Sequence, residues 1–197
     1  MSAPNTDSIA AGAGSDPAEG SLTPALTIRE GWRGRYFEDF EVGDVYQHPW
    51  GRTITATDNA WFTLLTMNTN QMHFNDHYAA QSTYGRQLIN SGFTVALVLG
   101  QSVIDVSQNA IANLGWENID LENPVFVGDT LYSESRVVSK RESSSRPFAG
   151  IVSVQTRGLN QDGQVVLTWK RSVLVYKRHA SEDKGYFPVA SQPWPSV

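Results

Sequence analysis

The sequence predicts an α+β domain in which an antiparallel β-sheet of about five strands wraps one long buried helix. Three observations predict it. Residues 88–106, LINSGFTVALVLGQSVIDV, are apolar on nearly every side, so a helix there lacks the polar face of a surface helix and needs other structure around it. Downstream the period changes: GIVSVQTRGLN and QVVLTWKRSVLVYKR alternate or run apolar in Val, Thr, Ile and aromatic residues, as strands do. Between these two runs Asp162-Gly163 is a tight-hairpin signal, which makes the strands on either side antiparallel.

Taken in order, residues 1–28 are rich in Ala, Gly, Ser, Asp and Pro with almost no large apolar side chains, too few to offset the entropy of ordering, and are predicted as a disordered N-terminal tail. The domain is expected over residues 29–178. It opens with WRGRYFEDFEVGDVYQHPWGRTIT, in which Gly43-Asp44 marks a turn and VYQHPWGRTIT an extended strand interrupted at Pro49. Thr57-Asp58-Asn59 offers N-cap residues for a short amphipathic helix carrying Trp61, Leu64 and Leu65 at helical spacing. The stretch TMNTNQMHFND, with His73, follows its end.

The apolar segment then spans about 19 residues, roughly 28 Å if helical throughout, and its ends are too polar for a good membrane span. Gly92 at its start and Gly100 within it would let another backbone approach closely. Strand patterning resumes in IDLENPVFVGDTLYSESRVVSKRES, with Gly128-Asp129 as a turn. In the last strand Val165, Leu167, Trp169, Val173 and Val175 share one face, and Arg171 breaks the row, as a bulge or an inward functional charge would. Residues 179–197 form a C-terminal tail in which Phe187 and Trp194, between prolines, are large enough to dock on the body or on a neighbouring subunit. One interrupted strand, a short helix, a buried helix and three or four antiparallel strands are the outline of a hot-dog fold.

Composition removes several function classes. With 15 basic and 20 acidic residues the formal charge is -5, which opposes general attraction to nucleic-acid backbones or anionic membranes. The absence of cysteine excludes a thiolate nucleophile, a disulfide framework and Cys-based zinc or iron-sulfur centres. The N-terminus has no basic n-region, and no run reaches the roughly 20 apolar residues of a membrane span, so the expectation is a soluble cytoplasmic protein.

Over residues 34–178 the chain resembles the MaoC-like dehydratases of single hot-dog (R)-hydratase type. The resemblance is carried by YFEDFEVGDVY, NTNQMHFN, YGRQLINSGFTVALVLG and ENPVFVGDTL in that order. The later SSSRPFAGIVSVQTRGLNQDG is similar to the branch of mesaconyl-CoA and itaconyl-CoA hydratases. The resemblance implies reversible addition of water across the double bond of a short, branched dicarboxylic enoyl-CoA, with no cofactor beyond the coenzyme A of the substrate thioester. It also implies a homodimer or higher homo-oligomer, in keeping with the sheet edge that a lone five-stranded layer leaves open.

The family motif has an Asp, an Asn two residues on, and a His five residues after the Asp. Asn70 and His73 match the last two, whereas Asn68 stands in place of the Asp and Gln71 in place of the usual Pro. The helix-start glycine, whose N–H helps bind the thioester oxygen, matches Gly92, and the histidine that usually precedes it is Ser91. The resemblance thus casts His73 as general acid/base, Asn68 as the group positioning water, Gly92 as an oxyanion donor and Asn70 as a substrate contact. Imidazole suits the first role because it titrates near neutrality; an amide cannot exchange protons as a carboxyl does. His73 therefore shuttles the proton alone, or Asp58, Asp76 or His77 stands in.

Arg52, Arg86, Arg141 and Arg146 lie in or beside the motifs. Arg52 or Arg86 is expected at the acyl carboxylate and Arg146 at the CoA, since guanidinium holds carboxylate and phosphate through paired hydrogen bonds. Read without the resemblance, His73 is a structural histidine, Asn68 and Asn70 cap a turn, and His73 with His77 lacks the third ligand and glutamate of a zinc site, so no metal is expected. Two other functions stay open: thioester hydrolysis on the same fold, and acyl-CoA binding without turnover given Asn68.

Overall fold

A computed structural model describes residues 26–180 and 187–195. Residues 1–25 of the predicted tail lie outside the described residues. The chain divides into two units. Among the described residues, Gly31–Lys184 carries every helix and strand, and those of the other unit, which include the exposed Phe187 and Trp194, carry none.

The predicted interrupted strand is two short strands, β1 (Val45–Gln47) and β2 (Arg52–Thr53). Helix α1 (Ala56–Leu65) follows, then a 3₁₀ turn at Gln71–His73, the single turn α2 (Asp76–Ala79), and α3 (Ser91–Ser102). Four long strands complete the domain: β3 (Ala110–Asp120), β4 (Thr130–Glu142), β5 (Ala149–Leu159) and β6 (Val165–Tyr176). The antiparallel sheet runs β1-β4-β5-β6-β3, and β2 also pairs with β4. Because β1 and β2 lie end to end along β4 on either side of Pro49, six strands fill five positions, as expected for a hot-dog sheet.

The sheet grips α3 on one side. Val98 packs over β5 where Gly158 leaves room: a Cβ built there would lie 2.8 Å from Val98 Cγ2. Around this contact Ile54, Ile89, Phe93, Val125, Leu131, Leu167 and Trp169 form one core cluster. A second cluster gathers Phe37, Phe40, Val106, Val137, Val152, Val154, Val173 and Val175 beyond the C-terminal end of α3.

Four expectations are corrected. The apolar segment is not one α-helix over its whole length: α3 ends at Ser102 in a π-helical turn, Val103–Ser107, and Ala96 and Gly100 are exposed. One sheet covers only one side of a helix. Accordingly Gly100 has nothing within 4 Å of its Cβ direction, so among the described residues no other backbone approaches there. The N-cap of α1 is Thr55, which closes a capping box with Asp58. The inward side of α1 carries the polar Asn59 and Thr63 at 0% exposure beside Phe62, which packs on the core, whereas Trp61, Leu64 and Leu65 are 76%, 58% and 85% exposed.

Arg171 lies at no β-bulge and points inward, 2% exposed, donating to Ser102 Oγ (3.2 Å) and Ser107 Oγ (3.4 Å); burial pulls its pKa down to about 10. No helix of the described residues is long and apolar enough to cross a membrane.

Candidate active site

His73 ends the 3₁₀ turn and is buried. Its Nδ1 lies 2.8 Å from the carbonyl oxygen of Leu88. A carbonyl only accepts, so Nδ1 carries the proton, and the neutral ring keeps its lone pair on Nε2. That is the tautomer a general base needs.

The turn that presents the ring is built from asparagines. Asn68 Oδ1 accepts from the Asn70 N–H (2.9 Å), and Asn70 Oδ1 accepts from the Met72 N–H (3.1 Å). Both predicted site residues therefore have capping roles through their oxygens, which leaves the Asn68 NH₂ able to hold a water.

The helix mouth lies beside this turn. Asn90 caps α3: its Oδ1 accepts from the Gly92 N–H at 2.9 Å, and the Thr94 N–H is bonded back to Asn90 O at 3.1 Å. Gly92 sits at the positive end of the helix dipole, as the oxyanion role requires, but its N–H is already engaged by the cap. A Cβ at Gly92 would meet Asn90 Oδ1 at 3.2 Å and the Phe62 ring at 3.3 Å, so the mouth is tight. A cleft of about 340 Å³ opens there, lined by Tyr84, Leu88, Ser91, Thr94, Leu121 and Pro124 among others.

What joins the turn to the mouth is Asn59. Its Nδ2 donates to His73 O (2.7 Å) and Leu88 O (3.0 Å), and its Oδ1 accepts from the Asn90 N–H (2.9 Å). Asn90 Nδ2 in turn donates to Thr63 Oγ1 (3.1 Å). By sequence Asn59 reads as a cap residue of α1, and Asn90 has no assigned role. The available signal was the polar pair Asn59 and Thr63, one helical turn apart.

The predicted arginines separate. Arg52 Nη2 pairs with Asp58 Oδ1 at 2.5 Å, and its guanidinium carbon is 6.0 Å from the centroid of the Phe93 ring, near the mouth. Burial works to raise the Asp58 pKa, but hydrogen bonds from Thr55 and the Arg52 charge outweigh it and hold the carboxyl below its usual value. Asp58 is therefore an anion bound to its neighbours and a poor proton donor. Asp76 accepts from Gln87 Nε2 (2.8 Å), and His77 Nε2 lies against Gln81 on the surface.

Arg86 stacks 3.7 Å over the Phe126 ring, whose edge meets Tyr84 of the cleft, and among the described residues it has no carboxylate partner. Arg146 lies in the β4–β5 turn, with Arg141 near the end of β4. That end of the sheet packs beyond the C-terminal end of α3, so one chain does not bring Arg146 to His73.

A second polar cluster lies near that far end. His48 Nδ1 donates to Asp105 Oδ2 (2.9 Å), its Nε2 meets Ser135 Oγ (2.9 Å), and Arg35 pairs with Asp105 at 2.5 Å. A wider trough of about 600 Å³, lined by Glu134, Arg136, Gln155 and Arg157 among others, crosses the sheet surface; Glu134 and Arg157 pair within it.

Comparison with known proteins identifies the family and the fold. The family model of mesaconyl-CoA hydratase matches residues 22–191. A mesaconyl-CoA hydratase from Cereibacter sphaeroides is 37% identical over 145 residues, covering 74% of this chain and 42% of that protein. Among solved structures, a MaoC domain protein dehydratase from Chloroflexus aurantiacus superposes with a TM-score of 0.73 at 32% identity, covering 86% of this chain and 47% of the other. A Mycobacterium tuberculosis protein with a double hot-dog fold has a TM-score of 0.68 at 24% identity, covering 83% of this chain and 52% of that one, a likeness of fold alone. The chain spans less than half the length of the first curated relatives it matches.

Proposed function

The chain belongs to the mesaconyl-CoA hydratase family, and from that membership we propose that it reversibly hydrates a short, branched dicarboxylic enoyl-CoA such as mesaconyl-CoA or itaconyl-CoA. One observation carries the reading: the Leu88 carbonyl keeps the proton on Nδ1 of His73 and leaves Nε2 as a base on the turn that Asn59 ties to the cap of α3.

Water, held by the Asn68 NH₂, gives a proton to His73 Nε2 as its oxygen bonds to the β-carbon. The double-bond electrons move to the thioester oxygen, giving an enolate that is stabilised at the helix mouth, where it competes with Asn90 Oδ1 for the Gly92 N–H. The imidazolium then returns the proton to the α-carbon, so the sum is one water added. Arg86, which has no carboxylate partner among the described residues, meets the distal carboxylate; Arg52 is neutralised by Asp58 and contributes less.

A second copy of the chain completes the enzyme as a homodimer in the cytoplasm. Supporting the dimer, β3 is a sheet edge that exposes Leu114, Trp116 and Ile119, and the first curated relatives are more than twice as long as the matched region. Arg146 serves the CoA from such a neighbour. The test is to incubate the purified protein with mesaconyl-CoA and itaconyl-CoA and follow enoyl-thioester absorbance together with free thiol. Loss of absorbance without thiol supports hydration; thiol release points to a thioesterase, and binding with neither to a noncatalytic module.

A further inference from the structure

Asn59 is fully buried in the middle of a helix, where an apolar side chain ordinarily packs, and its whole amide is used. Both Nδ2 hydrogens reach carbonyls, those of His73 (2.7 Å) and Leu88 (3.0 Å), while Oδ1 takes the Asn90 N–H (2.9 Å). The partners fix which way the amide points: flipped, its oxygen would face two carbonyl oxygens and its NH₂ a third donor. The Leu88 carbonyl so held is the same one that accepts from His73 Nδ1 at 2.8 Å. One side chain thus anchors the backbone of the histidine, the acceptor that sets its tautomer, and the first residue of the α3 cap.

We propose that Asn59 is a positioning residue for the hydration step, locking His73 in the Nδ1–H tautomer at a set distance from the mouth of α3. This rests on the reading of His73 as the base. Without the two donors, the His73 turn and the Leu88 carbonyl lose their common anchor. The ring then drifts toward the Nε2–H tautomer that imidazole prefers in water, which has no lone pair facing substrate. Packing alone would not need this: Asn59 holds His73, Leu88 and Asn90 through one hydrogen bond each to His73 O, Leu88 O and the Asn90 N–H, whose directions matter.

The experiment compares wild type, Asn59→Asp and Asn59→Ala as full chains. Asn59→Asp keeps an acceptor for the Asn90 N–H and removes both donors, so it separates support of the α3 cap from control of His73. In protein labelled with ¹⁵N-histidine, with His73→Gln used to assign the signal, wild type should show a bare Nε2 on His73, and both variants should shift toward Nε2–H. Hydration kcat should fall tenfold or more in both, with KM changed less than twofold. Wild-type ring shifts in a folded Asn59→Asp or Asn59→Ala overturn the proposal. So does an Nε2–H tautomer in wild type, which is decisive even if neither variant folds. If the ring signals behave as expected while wild type hydrates no enoyl-CoA, the positioning stands and the assigned reaction fails.

Discussion

The Nδ1 of His73 and the carbonyl oxygen of Leu88 lie 2.8 Å apart, across 15 residues of chain. This contact is within ordinary hydrogen-bond range, so the ring is oriented before any substrate arrives. Replacing His73 by Gln preserves a side chain able to donate to Leu88 but removes the base. Hydration kcat is expected to fall about 10²–10⁴-fold, while binding of the acyl-CoA, measured by calorimetry, changes little. A variant that keeps wild-type turnover removes His73 from the chemistry.

The two rim arginines should behave differently. Arg86 lies over Phe126 without an acid, whereas Arg52 is already paired with Asp58. Removing a guanidinium that holds a carboxylate costs about 1.5–3 kcal/mol, so Arg86→Ala should raise KM for a dicarboxylic enoyl-CoA roughly tenfold or more and leave that for crotonyl-CoA nearly unchanged. Arg52→Ala should show a smaller loss. Equal losses on both substrates would place Arg86 at the CoA rather than at the acyl carboxylate.

Much of the scaffold was legible because its signals are local. Pro49 splits the first strand, and Asp162-Gly163, with Gly163 at φ +75°, turns β5 into β6. Strand β3 was not legible: its pairing with β6 shifts register three times, so AIANLGWENID never alternates cleanly. The same divide runs through the site. His73 follows from a short motif, but the reason for Asn59 depends on carbonyls 14 and 29 residues away, which only the tertiary fold brings together. Helical spacing suggested that Trp61, Leu64 and Leu65 face inward; the hydrogen bonds of Asn59 and Thr63 turn the helix the other way.

Gly158 sets how closely α3 approaches the sheet. A methyl group there would meet Val98 Cγ2 at 2.8 Å, too close for a real Cβ, and Val98 is held by the core around it. Gly158→Ala should destabilise by about 1–3 kcal/mol through overpacking, a fall in Tm of roughly 2–4 °C per kcal/mol, read by calorimetry. An unchanged Tm would mean that the helix can shift away at no cost.

Stability should also depend on pH through His48. Burial is the main cause lowering its pKa below 6.5; the Asp105 hydrogen bond and charge oppose this, and the Arg171 and Arg35 charges add to it. In the unfolded chain His48 takes up a proton near the ordinary value of about 6.5, while in the folded chain it stays neutral to lower pH. The unfolded state therefore binds more protons in that window, and stability rises with pH. The contribution is full above about pH 6.5, declines as pH drops below that value, and levels off once folded His48 is protonated too. A glutamine at position 48 can still donate to Asp105 and accept from Ser135, and it does not titrate. The Tm of wild type should therefore fall more steeply than that of His48→Gln between about pH 7 and pH 5.5, a window set by the histidine value. Parallel curves would show that His48 is protonated equally in both states and that its burial carries no pH-dependent cost.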